Sequence, residues 1–419
     1  MRGGYRAGAG RKHVSENEKK KSINIYLTNE LFLKVNDTEI ANCKSLSQKC
    51  VDLINRGLDT LSTEQQHTSC NAFNSDVEPQ APCSSCASME NSSNELTFID
   101  LFAGIGGIRK GFEDAKTRCV FSSEWDKYAA ITYEANYEDV PFGDITKINE
   151  EDIPDHDVLL AGFPCQPFSN IGKRQGFAHE TQGTLFFDVL RILKHKQPKM
   201  FLLENVKGIL TNDNGNTFRV ITGSLKDLGY NIFSDVLDAQ NFGLPQRRER
   251  VVIVGFRPDL KIKEFKLPKS NNEKKVPICQ ILESNPIGYS ISKHLQNSYL
   301  FKKEDGKPQL VDSESDFQVN TLVASYHKIQ RLTGTFVRGG ETGVRLFSEL
   351  ELKRLMGFPE DFEVPVSRTQ MYRQFGNSVA VPMIKSVADA MKSALHSSEA
   401  KVVLSREPEI TIEPVAIYP

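Results

Sequence analysis

No apolar run in this chain is long enough to cross a bilayer as a helix, so an integral membrane protein of the helical kind is not expected. The N-terminus is basic, but no hydrophobic segment follows it, so a secretory signal is not expected either. Charge of one sign is also missing. Lys and Arg total 52 against 54 Asp and Glu, a formal net charge of −2. Any contact with nucleic acid must therefore come from local basic patches and not from a global field. Eight cysteines are present without the spacing of a disulfide framework, which fits a reducing cytosol and a cytoplasmic protein. Tryptophan occurs once, at Trp125. What remains is ample: 419 residues, 39% of them hydrophobic, can build two or three domains with full cores.

The chain is organised around Ala161-Gly162-Phe163-Pro164-Cys165-Gln166-Pro167-Phe168-Ser169. The apolar run just before it, after the Pro154-Asp155 break, reads as a buried parallel strand ending in a tight turn. A cysteine at the carboxyl end of such a strand, between two prolines, sits on a stiff scaffold where ligands collect in open α/β sheets. Its thiolate is a strong nucleophile at neutral pH. A buried structural cysteine would not need the polar Gln166 and Ser169 beside it.

Other strand ends carry polar groups too. The apolar strand 97–102 runs into Ala103-Gly104-Ile105-Gly106-Gly107, a turn that lets a ligand approach the backbone. A second strand, 119–123, ends at Glu124-Trp125. An acid about twenty positions after a glycine turn is placed for ribose hydroxyls, and Trp125 beside it can lie on an adenine ring. Asp144, in Gly143-Asp144-Ile145, could accept from an exocyclic amine or simply cap a helix. The three ends describe a nucleoside pocket, with a glycine turn too short for the full dinucleotide fingerprint. A strand at 201–203 leads into Glu204-Asn205-Val206, putting a carboxylate on the same rim as Cys165. Strands at 233–237 and 251–255 follow, the second entered through Gln246-Arg247-Arg248-Glu249-Arg250.

Ahead of this globular part, residues 1–22 form a basic, glycine-rich arm. Ile23, Ile25 and Leu27 alternate with Ser22, Asn24 and Tyr26 as in a half-buried strand, and two short helical patterns follow. So small a unit cannot bury its own core. The pattern resembles the ribbon-helix-helix family of dimeric DNA binders, which implies a homodimer through residues 22–60; DNA binding and plain oligomerisation both stay open. Residues 62–94 are rich in Ser, Asn, Gln and Pro and read as a disordered linker. His67, Cys70, Cys83 and Cys86 within it have finger-like pairing, but only Phe73 and Val77 could fill a core between them. The expectation is thiols in a linker and no metal.

Six motifs occur in order: Phe102-Ala103-Gly104-Ile105-Gly106, Pro164-Cys165-Gln166, Glu204-Asn205-Val206, Gln246-x-Arg248-x-Arg250, Arg354-Leu355-Met356-Gly357-Phe358-Pro359 and Gln374-Phe375-Gly376-Asn377-Ser378-Val379. Together they resemble the motif set of the bacterial DNA (cytosine-5)-methyltransferases, over residues 96–258 and 345–395. The resemblance implies an α/β fold with a doubly wound, Rossmann-like domain that binds S-adenosyl-L-methionine. It implies cofactor contacts from Phe102, Gly104, Gly106, Glu124, Trp125, Asp144, Ile145, Leu185, Asn377 and Val379. It also implies double-stranded DNA as substrate, a cognate restriction endonuclease as functional partner, and no membrane. The domain expectation is a ribbon-helix-helix-like module at 1–60, a linker at 61–95, the catalytic domain at 96–258, an irregular target-recognition domain at 259–344, a return to the catalytic domain at 345–395 and a loose tail at 396–419.

The chemistry assigns roles within that frame. Carbon 5 of cytosine is a poor nucleophile until Cys165 adds at carbon 6. Charge then reaches N3, where Glu204 can share a proton if its pKa is raised. Arg248 is expected to donate to the base carbonyl oxygen, with Arg250 structural or phosphate-facing. The base must be flipped out of the duplex, and the glycine-hinged loop 169–183 is the candidate lid. In the recognition segment, 321–326 looks strand-like, and Tyr326, His327, Lys328, Arg331 and Arg338 are groove-contact candidates. A transfer-RNA cytosine-5 methyltransferase of the same fold is the alternative. So is an added repressor activity of residues 1–60 at the protein's own promoter.

Overall fold

The computed structural model describes residues 95–164, 185–270 and 274–404, with side chains to residue 399. The chain divides into two units, Met1–Glu90 and Asn91–Pro419, and all described residues belong to the second. The ribbon-helix-helix expectation for 1–60, the His67/Cys70/Cys83/Cys86 set, Cys165 and the loop 169–183 lie outside the described residues.

Short, continuously apolar runs form the middle of a sheet, because strands covered on both faces cannot alternate with polar residues. Six strands build it: β1 (Leu96–Leu101), β2 (Thr117–Ser123), β3 (Val158–Ala161), β4 (Met200–Val206), β5 (Asn231–Asp238) and β6 (Glu249–Phe256), in the order β2-β1-β3-β4-β6-β5. The first four run parallel, with Ala161 of β3 beside Leu101 and Leu203. β6 is antiparallel to both β4 and β5. This reversal was not evident from the strand patterns, and it matters. An antiparallel strand starts at the edge where its parallel neighbours end, so Arg250 pairs with Val206 at the exit of β4.

Side chains alternate between the two sheet faces. Phe98, Leu160, Leu202 and Val254 face one core, which α1 (Gly107–Phe112) and α7 (Val381–Leu404) cover with Ile108, Phe112, Met383, Ile384 and Val387. Ile99, Leu101, Leu159, Leu203 and Ile253 face the other, against Phe186, Val189 and Ile192 of α3 (Phe186–Lys196) and Ile221 and Leu225 of α4 (Asn216–Asp227). At Gly111 the helices α1 and α7 meet so closely that a Cβ would lie 2.8 Å from Ile384. Ala129 of α2 (Lys127–Tyr137) belongs instead to a third core, shared by the segment after β6 and by α5 (Glu349–Met356) and α6 (Arg368–Asn377). A small sheet lies in that region: β7 (Gln309–Val311) parallel to β8 (Thr335–Arg338), and β8 antiparallel to β9 (Val344–Arg345). The bidentate Arg345–Glu351 pair, at 2.7 Å on both arms and almost fully buried, ties β9 to α5.

Three expectations are corrected. Residues 321–326 form no strand, because their polar groups are taken otherwise: Leu322 N donates to the Gln246 side chain and Thr321 Oγ1 to the Arg247 carbonyl. Tyr326 and Arg331 are not free to read a groove. Tyr326 is buried between Phe336 and Phe347, and its hydroxyl donates to Thr335 O and accepts from Phe347 N. Arg331 is buried on Asp305 and on the carbonyls of Leu300 and Lys303. The segment from residue 396 begins as helix, since α7 runs on to Leu404, with Ser398 Oγ donating to Leu260 O.

One buried group under β1 has a measurable consequence. Asp100 is fully buried; its Oδ2 is 3.5 Å from the Tyr133 hydroxyl and its Oδ1 has no partner. Burial pushes its pKa up to about 7, opposed in part by Arg109. In the unfolded chain the carboxyl ionises near 3.8. The folded state therefore holds a proton that the unfolded state has released between these values, and stability falls as pH rises through that window. Asp100→Asn should flatten this decline, worth on the order of 4 kcal/mol for the wild type by linkage. Urea denaturation at pH 4 and pH 8 checks it; an unchanged pH dependence in the variant would contradict the assignment.

Candidate active site at the carboxyl edge of the sheet

The glycine turn after β1 is a strained, open cradle. Phe102 has φ 54°, uncommon for a residue with a side chain. Gly104 and Gly106 are also left-handed, at φ 57° and 77°. A Cβ at Gly104 would meet nothing within 4 Å, so the turn borders open space there. Glu124, at the end of β2, accepts from Gly104 N through Oε2 and from Asp126 N through Oε1, both at 2.7 Å. Burial raises the Glu124 pKa while these backbone donors oppose the rise. Trp125 next to it is 78% exposed, a flat apolar face turned to solvent.

Asp144 caps the short helical turn Ile145–Lys147, accepting from Thr146 N and Oγ1. The Thr146 hydroxyl, with Lys147, holds its carboxyl below the usual range, so it is an ionised acceptor. Ile145 is buried beneath it. Leu185 precedes α3. The return segment closes the cradle: a Cβ on Gly107 would lie 2.5 Å from Ser378 Oγ and 3.0 Å from Val379 Cγ2. Asn377 just before them is exposed, and Val379 is buried. The structure thus brings residues 102–107, Glu124 and 378–379 together around one turn.

Glu204 stands at the neighbouring strand ends. It is 8% exposed, with Arg250 Nε 2.9 Å from its Oε1. Burial raises its pKa, and Arg250 and then Arg248 oppose the rise. Its Oε2 would be 3.7 Å from a Cβ on Gly162, so the carboxyl faces the exit of β3. Asn205 Nδ2 donates to Phe163 O at 2.8 Å, which fastens that exit to β4. Pro164, the last described residue before Cys165, is exposed.

Arg248 is elsewhere. It is fully buried and donates to Leu322 O at 2.9 Å, to Gly376 O at 3.0 Å and to Ser378 O. Gln246 is fully buried beside it, donating to Leu355 O at 2.9 Å and accepting from Leu322 N. Arg248 is turned onto backbone carbonyls with no exposed surface, whereas Arg250 pairs with Glu204, so the place expected for Arg248 fits Arg250 better. The i, i+2 spacing of the two arginines held the signal: alternate residues of a strand share a face, and the reversed sense of β6 decides which of them reaches Glu204.

Comparison with known proteins decides the family. A family model described as C-5 cytosine-specific DNA methylase matches residues 96–393. The chain belongs to that family. This DNA cytosine-5 methylase is 67% identical over 418 residues to Type II methyltransferase M.BsuFI of Bacillus subtilis, covering 96% of the chain and 100% of the relative. It is 47% identical to Type II methyltransferase M.MspI of Moraxella sp, over 93% and 88% of the two chains. Solved structures share the methylase fold at low identity. The Dnmt2 methyltransferase of S. pombe superposes with a TM-score of 0.56 at 21% identity, over 72% of this chain and 99% of that one. A prophage-encoded putative DNA modification methyltransferase of E. coli gives 0.57 at 20%, over 72% and 100%.

The two arginines should separate cleanly. Arg248→Ala strands three buried carbonyls and is expected to cost on the order of 3 kcal/mol of stability. Arg250→Ala should lose less, because Glu204 can relieve its isolation by taking up a proton, yet it should slow methyl transfer about 100-fold. Thermal melts and single-turnover rates of both variants check this; equal destabilisation with equal residual activity would contradict it.

Proposed function

We propose that the chain transfers a methyl group from S-adenosyl-L-methionine to carbon 5 of a flipped-out cytosine in a short duplex sequence, as the modification enzyme of a restriction-modification system. Identity of 67% to a Type II methyltransferase, across the whole of that relative, favours DNA over transfer RNA as substrate and a cognate endonuclease as functional partner. The observation that carries the chemistry is the Glu204 carboxyl: buried, raised in pKa and set against Arg250 at the exit of β3, three positions before Cys165.

The open cradle fits the cofactor. Glu124 would take the ribose, Trp125 and Ile145 the adenine, and Asp144 its amine, while residues 102–107 and 377–379 would hold the remainder. When bound, S-adenosyl-L-methionine supplies an electrophilic methyl group. Cys165 adds as a thiolate to carbon 6 of the ring, breaking the 5,6 double bond and making carbon 5 nucleophilic. The electron pair reaches N3, where Glu204 shares its proton. Arg250 donates to the adjacent ring carbonyl oxygen, and its charge loosens the hold of the Glu204 carboxyl on the proton it passes to N3. After transfer, loss of the carbon-5 proton to a base restores the 5,6 double bond and Cys165 leaves as the thiolate.

Cys165→Ser should bind the cofactor and duplex DNA as the wild type does and transfer no methyl group. Bisulfite mapping of DNA from a host expressing each protein tests both statements. Methylated cytosines at one short sequence, only with the wild type, are expected; full methylation by Cys165→Ser would refute the thiol mechanism.

A further inference from the structure

The cradle turn is held from two sides, and only one of these was legible in the motifs. Glu124 grips Gly104 N–H from β2. On the other side, Tyr137 in the last turn of α2 donates its hydroxyl to Gly106 O at 2.7 Å. That carbonyl also accepts from Lys110 N at 2.8 Å, so both its lone pairs are engaged. The ring of Tyr137 lies directly under the turn: a Cβ at Gly106 would come within 2.2 Å of Cε2. The ring itself is pinned. The Arg109 guanidinium lies 4.3 Å from its centroid, the Lys110 ammonium 4.9 Å, and Tyr133 packs at 4.6 Å. Arg109 is in turn fixed by Tyr133 and Asp139, at 3.0 and 2.9 Å.

We propose that Tyr137 is a positioning residue for the cofactor: its hydroxyl and ring set the carbonyl of Gly106 and thereby the shape of the turn that receives S-adenosyl-L-methionine. The reason is geometric. A trans peptide is planar, so orienting the Gly106 carbonyl also orients the N–H of Gly107 on the opposite side of the same plane. Glycines at 104 and 106 leave the turn soft, since each can adopt other φ values at no steric cost. Glu124 fixes the first of them and Tyr137 the second. The ring of Tyr137 also packs against the third core, so the hydroxyl is the part whose removal isolates the effect on the turn.

This inference rests on the cofactor reading given above. Equilibrium dialysis of the full-length protein with labelled S-adenosyl-L-methionine separates the two. If the wild type binds none, the cofactor reading itself fails. Tyr137→Phe keeps the ring and its cation contacts and removes one hydroxyl. It should weaken cofactor binding about fivefold, as expected for one hydrogen bond, and leave the KM for DNA and the melting temperature of the cofactor-free protein unchanged. Quenching of the single tryptophan, Trp125, gives an independent reading of occupancy. Wild-type binding with an equal dissociation constant in Tyr137→Phe would overturn the proposal. So would a weaker constant accompanied by a matching fall in melting temperature and a raised KM for DNA, which would mark a general structural role.

Discussion

The ion pair between Glu204 and Arg250 depends on one topological choice, and the catalytic reading depends on the ion pair. A carboxyl buried at a strand end would hold its proton tightly if left alone, because desolvation disfavours its charge. A guanidinium 2.9 Å away opposes that, without restoring the ordinary value. The result is a carboxyl raised above its ordinary range yet held in check by a cation, the direction that general acid–base work requires. Arg250 reaches it only because β6 runs against β4 and so begins where β4 ends. A fully parallel sheet would have put the same residues at the opposite edge.

The neighbouring arginine shows the opposite use of the same chemistry. Arg248 is desolvated completely, down to a pKa of about 9, with Arg250 adding to the effect and Glu204 opposing it. Its role is to join chain segments far apart in sequence: Leu322, Gly376 and Ser378 converge on one guanidinium. Gln246 adds Leu355 to the junction. Here the segment after β6 and the return helices come into register. Gln374 extends the junction to α2, where it bonds Thr132 and the Tyr128 carbonyl. The segment after β6 and the return helices are thus joined by side-chain hydrogen bonds, chiefly to backbone carbonyls, which are directional as apolar contacts are not.

Much of the sheet was legible because buried parallel strands announce themselves as apolar runs, and each of the six strands of the large sheet matches an expected one within a few residues. The glycine turn and the acid after β2 were legible through spacing. What was hidden depended on partners distant in sequence. Nothing in Gln246–Arg250 says which way its strand runs, so the sequence does not show that Arg250 is the arginine paired with Glu204. Tyr326 and Arg331 look like surface readers in one dimension; only the stacking on Phe336 and Phe347 and the pairing with Asp305 show them as structural. Tyr137 carries no motif at all, since its hydroxyl meets a backbone carbonyl and leaves no trace in residue type. The strand-like look of 321–326 failed because side-chain bonds from Gln246 and Thr321 replaced the ladder.

The central claim concerns the state of one carboxyl, so the most direct measurement is its titration. Carbon-13 labelling of glutamate side chains, with Glu204→Gln to assign the signal, would follow it by NMR in the folded protein. The account predicts a midpoint above the ordinary value of 4.5 in the wild type, and a further rise in Arg250→Leu as the opposing charge is removed. A wild-type midpoint at or below 4.5, or no change without Arg250, would contradict it.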